Sequence, residues 1–338
     1  MSSISIRQVA AAAGVSLGSV SRALKNQPGL TEETRRHILE VANRLGYDTG
    51  RLRGSRLRRV TLLLHRQHSP LTGNQFYSHV IQGAETICRE NGIALSFCSI
   101  SPTDPVREML MPLHEPDGFL CVGYLEPELV AELVATGRPT VLVDYRWREL
   151  SSVNADNEGG AIAATERLIA AGRRRIAYIH GPLSHHSILQ RMRGYRAALF
   201  RNGIPADPQL EVALDLPDDY DHATAAAITQ LLGLASPPDA VFAYNDSCAL
   251  AAIRTIQQAG LRVPEDIAVI GFDDIAAAAT SSPALATLAV DKEAMGEIGM
   301  RLLLEAAAGE APKHVSAPVA LIERASCAPL PILSTGTN

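Results

Sequence analysis

Hydrogen-bonding side chains of several kinds stand just past the ends of apolar runs in this 338-residue chain. His65 and Arg66 follow VTLLL (60–64), Asp144 ends TVLVD (140–144), Asn245-Asp246 follow AVFAY (240–244), and Asp273-Asp274 follow IAVIGF (267–272). Taken singly, each reads as a strand cap or a solvated turn. As a set they predict one polar cleft, because ligands of open α/β sheets bind outside the carboxyl ends of the strands. A second polar set, Ser16, Ser19, Ser21 and Arg22, lies on one short segment near the N-terminus, where packing gives no reason for it.

Catalytic chemistry has less support. HGPLSHHS (180–187) gathers three His and two Ser near a strand end, yet its spacing fits neither a nucleophilic triad nor a standard zinc site. It reads as a polar loop at the cleft mouth. No GxGxxG follows the first apolar run, and neither a P-loop nor a GxSxG elbow occurs. The five cysteines (Cys88, Cys98, Cys121, Cys248, Cys327) form no CxxC pair and read as reduced core thiols. The expectation is therefore a binding protein and not an enzyme, with no cofactor and no metal.

The elements that must position these groups fall into two parts. With 46% apolar and 20% charged residues the chain is of ordinary globular composition, and no apolar stretch approaches the ~18 residues of a membrane span. No basic-then-apolar leader opens it, so a cytoplasmic protein with no membrane partner is expected. Residues 1–59 hold 11 Lys/Arg against 4 Asp/Glu, whereas the remainder holds 20 against 32. A basic head on an acidic body predicts a polyanion partner for the head alone.

In that head, Ser5-Ile6-Arg7-Gln8 has capping-box form, with Ile6, Val9, Ala10 and Ala13 at helical spacing and Gly14 as the stop. Ser16 can cap a second helix and Thr31 a third, which Gly46 would end. Two short helices across a tight turn, buried by a third, make a helix-turn-helix. From Val60 onward apolar runs alternate with amphipathic helices, around 76–91, 126–136, 159–171, 190–202, 222–234, 246–259 and 292–308. The further strands expected are ALSFCSI (94–100), GFLCV (118–122) and RIAYIHG (175–181). Such alternation predicts parallel sheets covered by helices, and the strands are too many for one sheet of usual size.

SIRQVAAAAGVSLGSVSRAL (5–24) resembles the DNA-binding headpiece of the LacI/GalR regulators, in which I-x-x-V-A-x-x-A-G-V-S-x-x-[TS]-V-S-R-x-L recurs. The resemblance continues through NQFYSHVIQGAE, VNADNEGGA, AGRRRIAYIHG (Arg173 where the family has His), RMRGY, VFAYNDSCALAAI and IAVIGFDDI, to about residue 328. It implies an all-α helix-turn-helix headpiece (1–47), a basic hinge (48–59), and a two-lobed core of the periplasmic-binding-protein type (60–330), followed by a tail (331–338). Lobe one would comprise about 60–157 and 288–312, and lobe two about 158–287 and 313–330.

By the same resemblance the second helix enters the major groove. Leu17, Gly18 and Arg22 take base-reading positions, with Ser16, Ser19, Ser21 and Asn26 near phosphates. Leu52, or alternatively Leu57, would wedge the minor groove, although Thr49 and Gly50 replace the usual Pro and Asn of the hinge. In the core, Arg191, Asn245 and Asp273 fall on positions that grip hydroxyls. His65, Arg66 and Asp144 flank the pocket, and Tyr220 falls on a ring-stacking position. The implied function is a transcriptional regulator, most simply a repressor: a homodimer on a pseudo-palindromic operator, controlled by a small polar effector that either induces or co-represses. That effector would be a sugar, a polyol or, given Arg66 and Arg146 near the cleft, a sugar acid or phosphorylated sugar. A cytoplasmic sugar sensor with only non-specific DNA affinity is the alternative.

Overall fold

Ser5 and Gln8 satisfy each other as their spacing implies. In the computed structural model the Ser5 N–H donates to Gln8 Oε1 (2.7 Å) and the Gln8 N–H to Ser5 Oγ (3.4 Å). The structure describes residues 5–24, 28–45, 57–65, 75–100, 116–214 and 220–327, apart from the side chains of residues 43, 75 and 220. The capping box opens helix α1 (Ile6–Ala13), which Gly14 ends at φ 66°. Gly14 is exposed, and a Cβ there would meet nothing within 4 Å. The left-handed backbone, and no packing need, therefore calls for glycine.

Helix α2 (Leu17–Leu24) starts where the Ser19 N–H donates to Ser16 Oγ (3.0 Å), and α3 (Glu32–Arg44) where the Thr34 N–H donates to Thr31 Oγ1 (3.2 Å). Val9, Ala10, Ala13, Val20, Leu24, Ile38 and Val41 bury a core of their own. Asn26, Gly46, Leu52 and the tail lie outside the described residues.

The core begins earlier than the sequence pattern implies. The backbone N–H groups of Arg58 and Arg59 donate to Asp117 Oδ2 (2.8 and 2.9 Å), and Leu57 is 3% exposed beside Gly118. Residues 57–59 thus belong to the body and not to the hinge. Leu57, the alternative minor-groove wedge, is spent on lobe-one packing.

Six parallel strands form the first sheet: β1 (Arg59–His65), β2 (Ala94–Ile100), β3 (Gly118–Val122), β4 (Thr140–Val143), β5 (Ser151–Ala155) and β11 (His314–Ala317), in the order β11-β5-β4-β3-β1-β2. Its helices are α4 (Gln75–Asn91), α5 (Pro127–Ala135) and α11 (Lys292–Ala307). Helices α4 and α11 cross backbone to backbone at Gly83 and Gly296. A Cβ on either would stand 2.0 Å from a carbonyl oxygen of the other helix.

The second sheet is also parallel, in the order β7-β6-β8-β9: β6 (Ile176–His180), β7 (Glu211–Ala213), β8 (Ala240–Ala243) and β9 (Ala268–Ile270). Around it lie α6 (Asn157–Ala170), α7 (His186–Arg201), α8 (Tyr220–Leu232), α9 (Asp246–Gln258) and the short α10 (Ala276–Thr280). The strands β10 (Thr287–Val290) and β12 (Val319–Ile322) pair antiparallel, and single parallel bridges tie β10 to the chain after β9. Strands β1, β3, β4, β6 and β8 are buried along nearly their whole length, as helix cover on both faces requires.

The chain passes between the sheets at Asp156, between β10 and α11, and between β11 and β12. The last passage corrects the lobe division given above. Strand β11 pairs with β5, so residues through 317 lie with lobe one, whereas β10 lies with lobe two. Among the described residues no helix is long and apolar enough to cross a membrane, and no three His, Cys, Asp or Glu gather as a metal site.

Candidate DNA-reading face and effector cleft

Helix α2 presents Leu17 (46% exposed), Gly18 and Arg22 outward. Ser16 caps the helix and its hydroxyl lies 2.9 Å from that of Ser19, while Ser21 is half-buried. The Arg22 Nε donates back to the Gly18 carbonyl (3.3 Å), which lays the guanidinium along the first turn. Arg35 of α3 escaped the sequence reading. It donates to the carbonyls of Arg22 (3.5 Å) and Ala23 (3.4 Å) and so holds the end of α2. A Cβ on Gly18 would make only ordinary contacts, 3.7 Å to Ser16 Oγ and 3.8 Å to Arg22 Nη2. Gly18→Ala is therefore expected to stabilise the headpiece by up to ~1 kcal/mol, read as a raised melting temperature of the headpiece transition.

In the body, two aspartates at strand ends hold unusual backbone. Asp144, just past β4, has φ 60°, and Asp273, past β9, has φ 118°. Each is pinned by a neighbouring strand: the Asp144 N–H donates to the Val153 carbonyl (2.9 Å) and that of Asp273 to the Leu288 carbonyl (2.8 Å). Such conformations cost about 1–3 kcal/mol and persist where the surroundings enforce them, often at ligand sites.

Between the two stands Arg191 of α7, 5% exposed. Its Nε donates to Asn157 Oδ1 (2.8 Å), Nη1 to the Tyr244 carbonyl, and Nη2 reaches Asp273 Oδ1 at 3.5 Å. Its Cζ lies 3.6 Å above the Phe272 ring. Asp144 accepts the Tyr77 hydroxyl at Oδ2 (3.0 Å), and the Ser187 hydroxyl also acts on its carboxylate.

Burial raises the Asp144 carboxyl above the usual range, against the pull of Arg191 and the Tyr77 hydroxyl. Burial also lifts Asp273 to about 6, with Arg191 and Lys292 opposing. The Tyr77 hydroxyl is pushed up by burial and by Asp144. Lys292, at the passage between β10 and α11, donates to the carbonyls of Asp274 (3.2 Å) and Val290 (3.3 Å).

Other expected site residues fare differently. Asn245 spends its Oδ1 on the Cys248 N–H as the cap of α9 (2.9 Å). His65 sits at the end of β1 with its Nε2 3.2 Å from Glu126 Oε1 and its ring edge-on to that of Tyr124 (centroids 6.5 Å apart). Arg66 and the side chain of Tyr220 lie outside the described residues. Asp246 bonds the Thr287 hydroxyl and the Ile275 N–H, Asp156 caps α6, and Asp274 pairs with Arg324 (2.8 Å); all three serve the fold.

The HGPLSHHS segment is more than a mouth loop. His185 is buried against Tyr124 and bonds Ser187 (2.9 Å), and burial together with Arg191 depresses its pKa to about 3. It is a neutral ring at neutral pH. Tyr77, Tyr124, Asn157 and Lys292 were not singled out from the sequence. NQFY and the adjacency of Asn157 to the capping Asp156 were signals, but which way the side chains turn is a tertiary matter.

Residues 5–49 match the family model "Bacterial regulatory proteins, lacI family", and residues 165–327 match "Periplasmic binding protein-like domain". The HTH-type transcriptional regulator CelR of Thermobifida fusca is 32% identical over 333 residues, covering 92% of this chain and 94% of that protein. The chain belongs to the LacI family.

This LacI-family regulator is also 30% identical to the HTH-type transcriptional repressor CytR of Escherichia coli K12, with 90% of each chain covered. The solved "transcriptional regulator CelR-cellobiose complex" superposes with a TM-score of 0.73 at 30% identity, covering 96% of this chain and 99% of that one. A lac repressor dimer bound to operator and an anti-inducer shares the fold (TM-score 0.70, 24% identity, 97% and 100% covered). Membership makes the chain a DNA-binding transcriptional regulator whose α1–α2 unit is the family's helix-turn-helix.

Proposed function

We propose that this LacI-family protein is a cytoplasmic, dimeric repressor that binds a pseudo-palindromic operator and responds to a neutral polyhydroxylated effector, a sugar or polyol, without turning it over. The observation that carries the effector class is the buried set Asp144, Arg191 and Asp273. Lobe one contributes a buried carboxylate edged by the Tyr77 and Ser187 hydroxyls, and lobe two a guanidinium paired with a second carboxylate. Carboxylate and guanidinium forks match paired hydroxyls, and the tyrosine and histidine rings beside them match an apolar sugar face. Two carboxylates to one arginine disfavour an acidic sugar. A ligand bonded to both lobes changes their relative population of arrangements, which is how it would reach the operator. The cellobiose-bound relative supports a carbohydrate.

On DNA, Arg22 is placed to read guanine, Leu17 to touch a thymine methyl, and Ser16, Ser19 and Ser21 to meet phosphates. Asn26 and the hinge residue Leu52 complete the proposed contacts.

The test begins with selection from random duplex DNA, which should enrich an inverted repeat. Against that repeat Arg22→Ala should lose roughly 1–3 kcal/mol of affinity while non-specific binding changes little. A panel of neutral sugars, polyols and aldonates is then titrated into the complex. At least one neutral compound should shift operator affinity tenfold or more. Enrichment of no sequence, with steep salt dependence only, would favour the sensor with non-specific DNA affinity.

A further inference from the structure

A second polar cavity of about 350 Å³ lies on the side of the lobe junction where β5 and β11 end. Arg146, Ser152, Asn154 and His314 line it from lobe one, and His186, Gln190 and Arg193 from α7 of lobe two. Arg146, expected from the sequence to bring positive charge near the cleft, stands here with Arg193 and His314.

Like charges face one another here across the junction. Neither Arg146 nor Arg193 makes a hydrogen bond or ion pair to a described residue, although Asp156 and Glu158 share the wall. Asp156 is turned to the Gly159 N–H (3.0 Å) as a helix cap. His314 bonds the Ser152 hydroxyl (2.9 Å). Burial lowers the pKa of His186, and Arg146, Arg193 and His314 lower it further while Asp144 opposes. His314 is lowered too, by burial and by Arg146. Two exposed guanidiniums that make no ion pair to a described residue thus share one concavity with hydroxyl, amide and imidazole groups, and with Glu158 and Asp156, the latter occupied as a helix cap. Such donors suit a tetrahedral oxyanion.

We propose that this cavity is a second ligand site, which takes a phosphoryl group between Arg146 of lobe one and Arg193 of lobe two. Its occupant is bonded to both lobes, so its binding is coupled to whatever moves them. Free phosphate and a phosphorylated metabolite present the same chemistry, and the cavity is large enough for either.

Isothermal titration calorimetry of the full-length protein at pH 7, in a buffer free of phosphate and sulfate, decides the matter. The probes are inorganic phosphate, glucose 6-phosphate and, as the neutral control, glucose. Phosphate or glucose 6-phosphate should bind, and Arg146→Gln and Arg193→Gln should each weaken that binding at least tenfold. Arg201→Gln, at the far end of the same helix, should leave it within twofold. Binding of glucose 6-phosphate alone, with the same dependence on both arginines, supports the site and assigns its occupant to an organic phosphate. Absence of binding by either phosphoryl probe, or binding indifferent to both arginines, overturns it.

Discussion

Arg191→Met is expected to abolish the effector response and to destabilise the core by about 3–5 kcal/mol, the usual cost of stripping one partner from a buried charge pair. The guanidinium bonds Asn157, the Tyr244 carbonyl and Asp273, and it stacks on Phe272. Methionine fills part of the volume and returns none of the bonds. Asp273, already raised to about 6, would lose the cation that most opposes that rise and would go higher still. Each lost hydrogen bond to a charged group contributes roughly 1.5–3 kcal/mol, so effector affinity should fall about 100-fold. Urea unfolding reads the stability term, and effector titration of the operator complex reads the functional one. Arg191→Lys keeps the charge but loses the fork, and should recover only part of the affinity. An Arg191→Met protein that binds effector within threefold of the parent would remove this residue from the site.

Asp246 should make stability fall as pH rises from about 4 to 8. The buried neutral His185 opposes this below about pH 6.5, so the Asp246 effect is isolated by comparing the parent with Asp246→Asn. The Asp246 carboxyl is fully buried and its pKa is lifted to about 7, by desolvation first and by Asp273 second, against bonds from Thr287 and the Ile275 N–H. The folded state therefore holds this proton across a window in which the unfolded chain, at about 3.9, has released it. Where the folded state binds more protons, unfolding free energy decreases with pH. The contribution is fully present below the unfolded pKa and is lost on passing through the folded one. At most it amounts to about 4 kcal/mol. Asp273 acts in the same direction up to about pH 6.

Asp246→Asn keeps an acceptor for the Ile275 N–H, and the Thr287 hydroxyl can turn to accept from the amide. The variant should show a flatter pH profile and greater stability than the parent at pH 8. Urea midpoints at pH 5, 6.5 and 8 check this. An Asp246→Asn protein whose midpoint tracks the parent's at pH 5, 6.5 and 8 would contradict the assignment.

Much of this was legible in the chain because local rules carry it. The capping box at Ser5, the left-handed stop at Gly14 and the cap at Ser16 each depend on residues within a turn of one another. The seven strands and seven helices of the body announced themselves as apolar runs and amphipathic stretches. Strands β5, β7, β10, β11 and β12 and helix α10 did not. Strand β5 reads SSVNA, mostly polar, yet all five residues are buried because β4 and β11 flank it on both edges. Strands β11 and β12 are four residues each and take their places only through distant partners. Placing the lobe boundary at 312 failed for that reason, since nothing near His314 states that its partner is Ser152.

The cleft divides along the same line. Which residues stand past strand ends, and that a basic three-helix head precedes an acidic α/β body, follow from residue types and short-range spacing. The family pattern follows from them as well. Which of those polar groups meet was decided by tertiary structure alone. Asp144, Arg191 and Asp273 converge because two separate sheets present their carboxyl ends to one another. Asn245 and Asp156 each use a side-chain oxygen to cap a helix, and Asp246 bonds the Thr287 hydroxyl and the Ile275 N–H. Leu57 looked free to enter a groove, but it is buried in the lobe-one core, beside Gly118 from 61 residues further along the chain. Local sequence sets what each side chain can do; contacts across long loops, whose energy depends on who is left to pair with whom, set what it does.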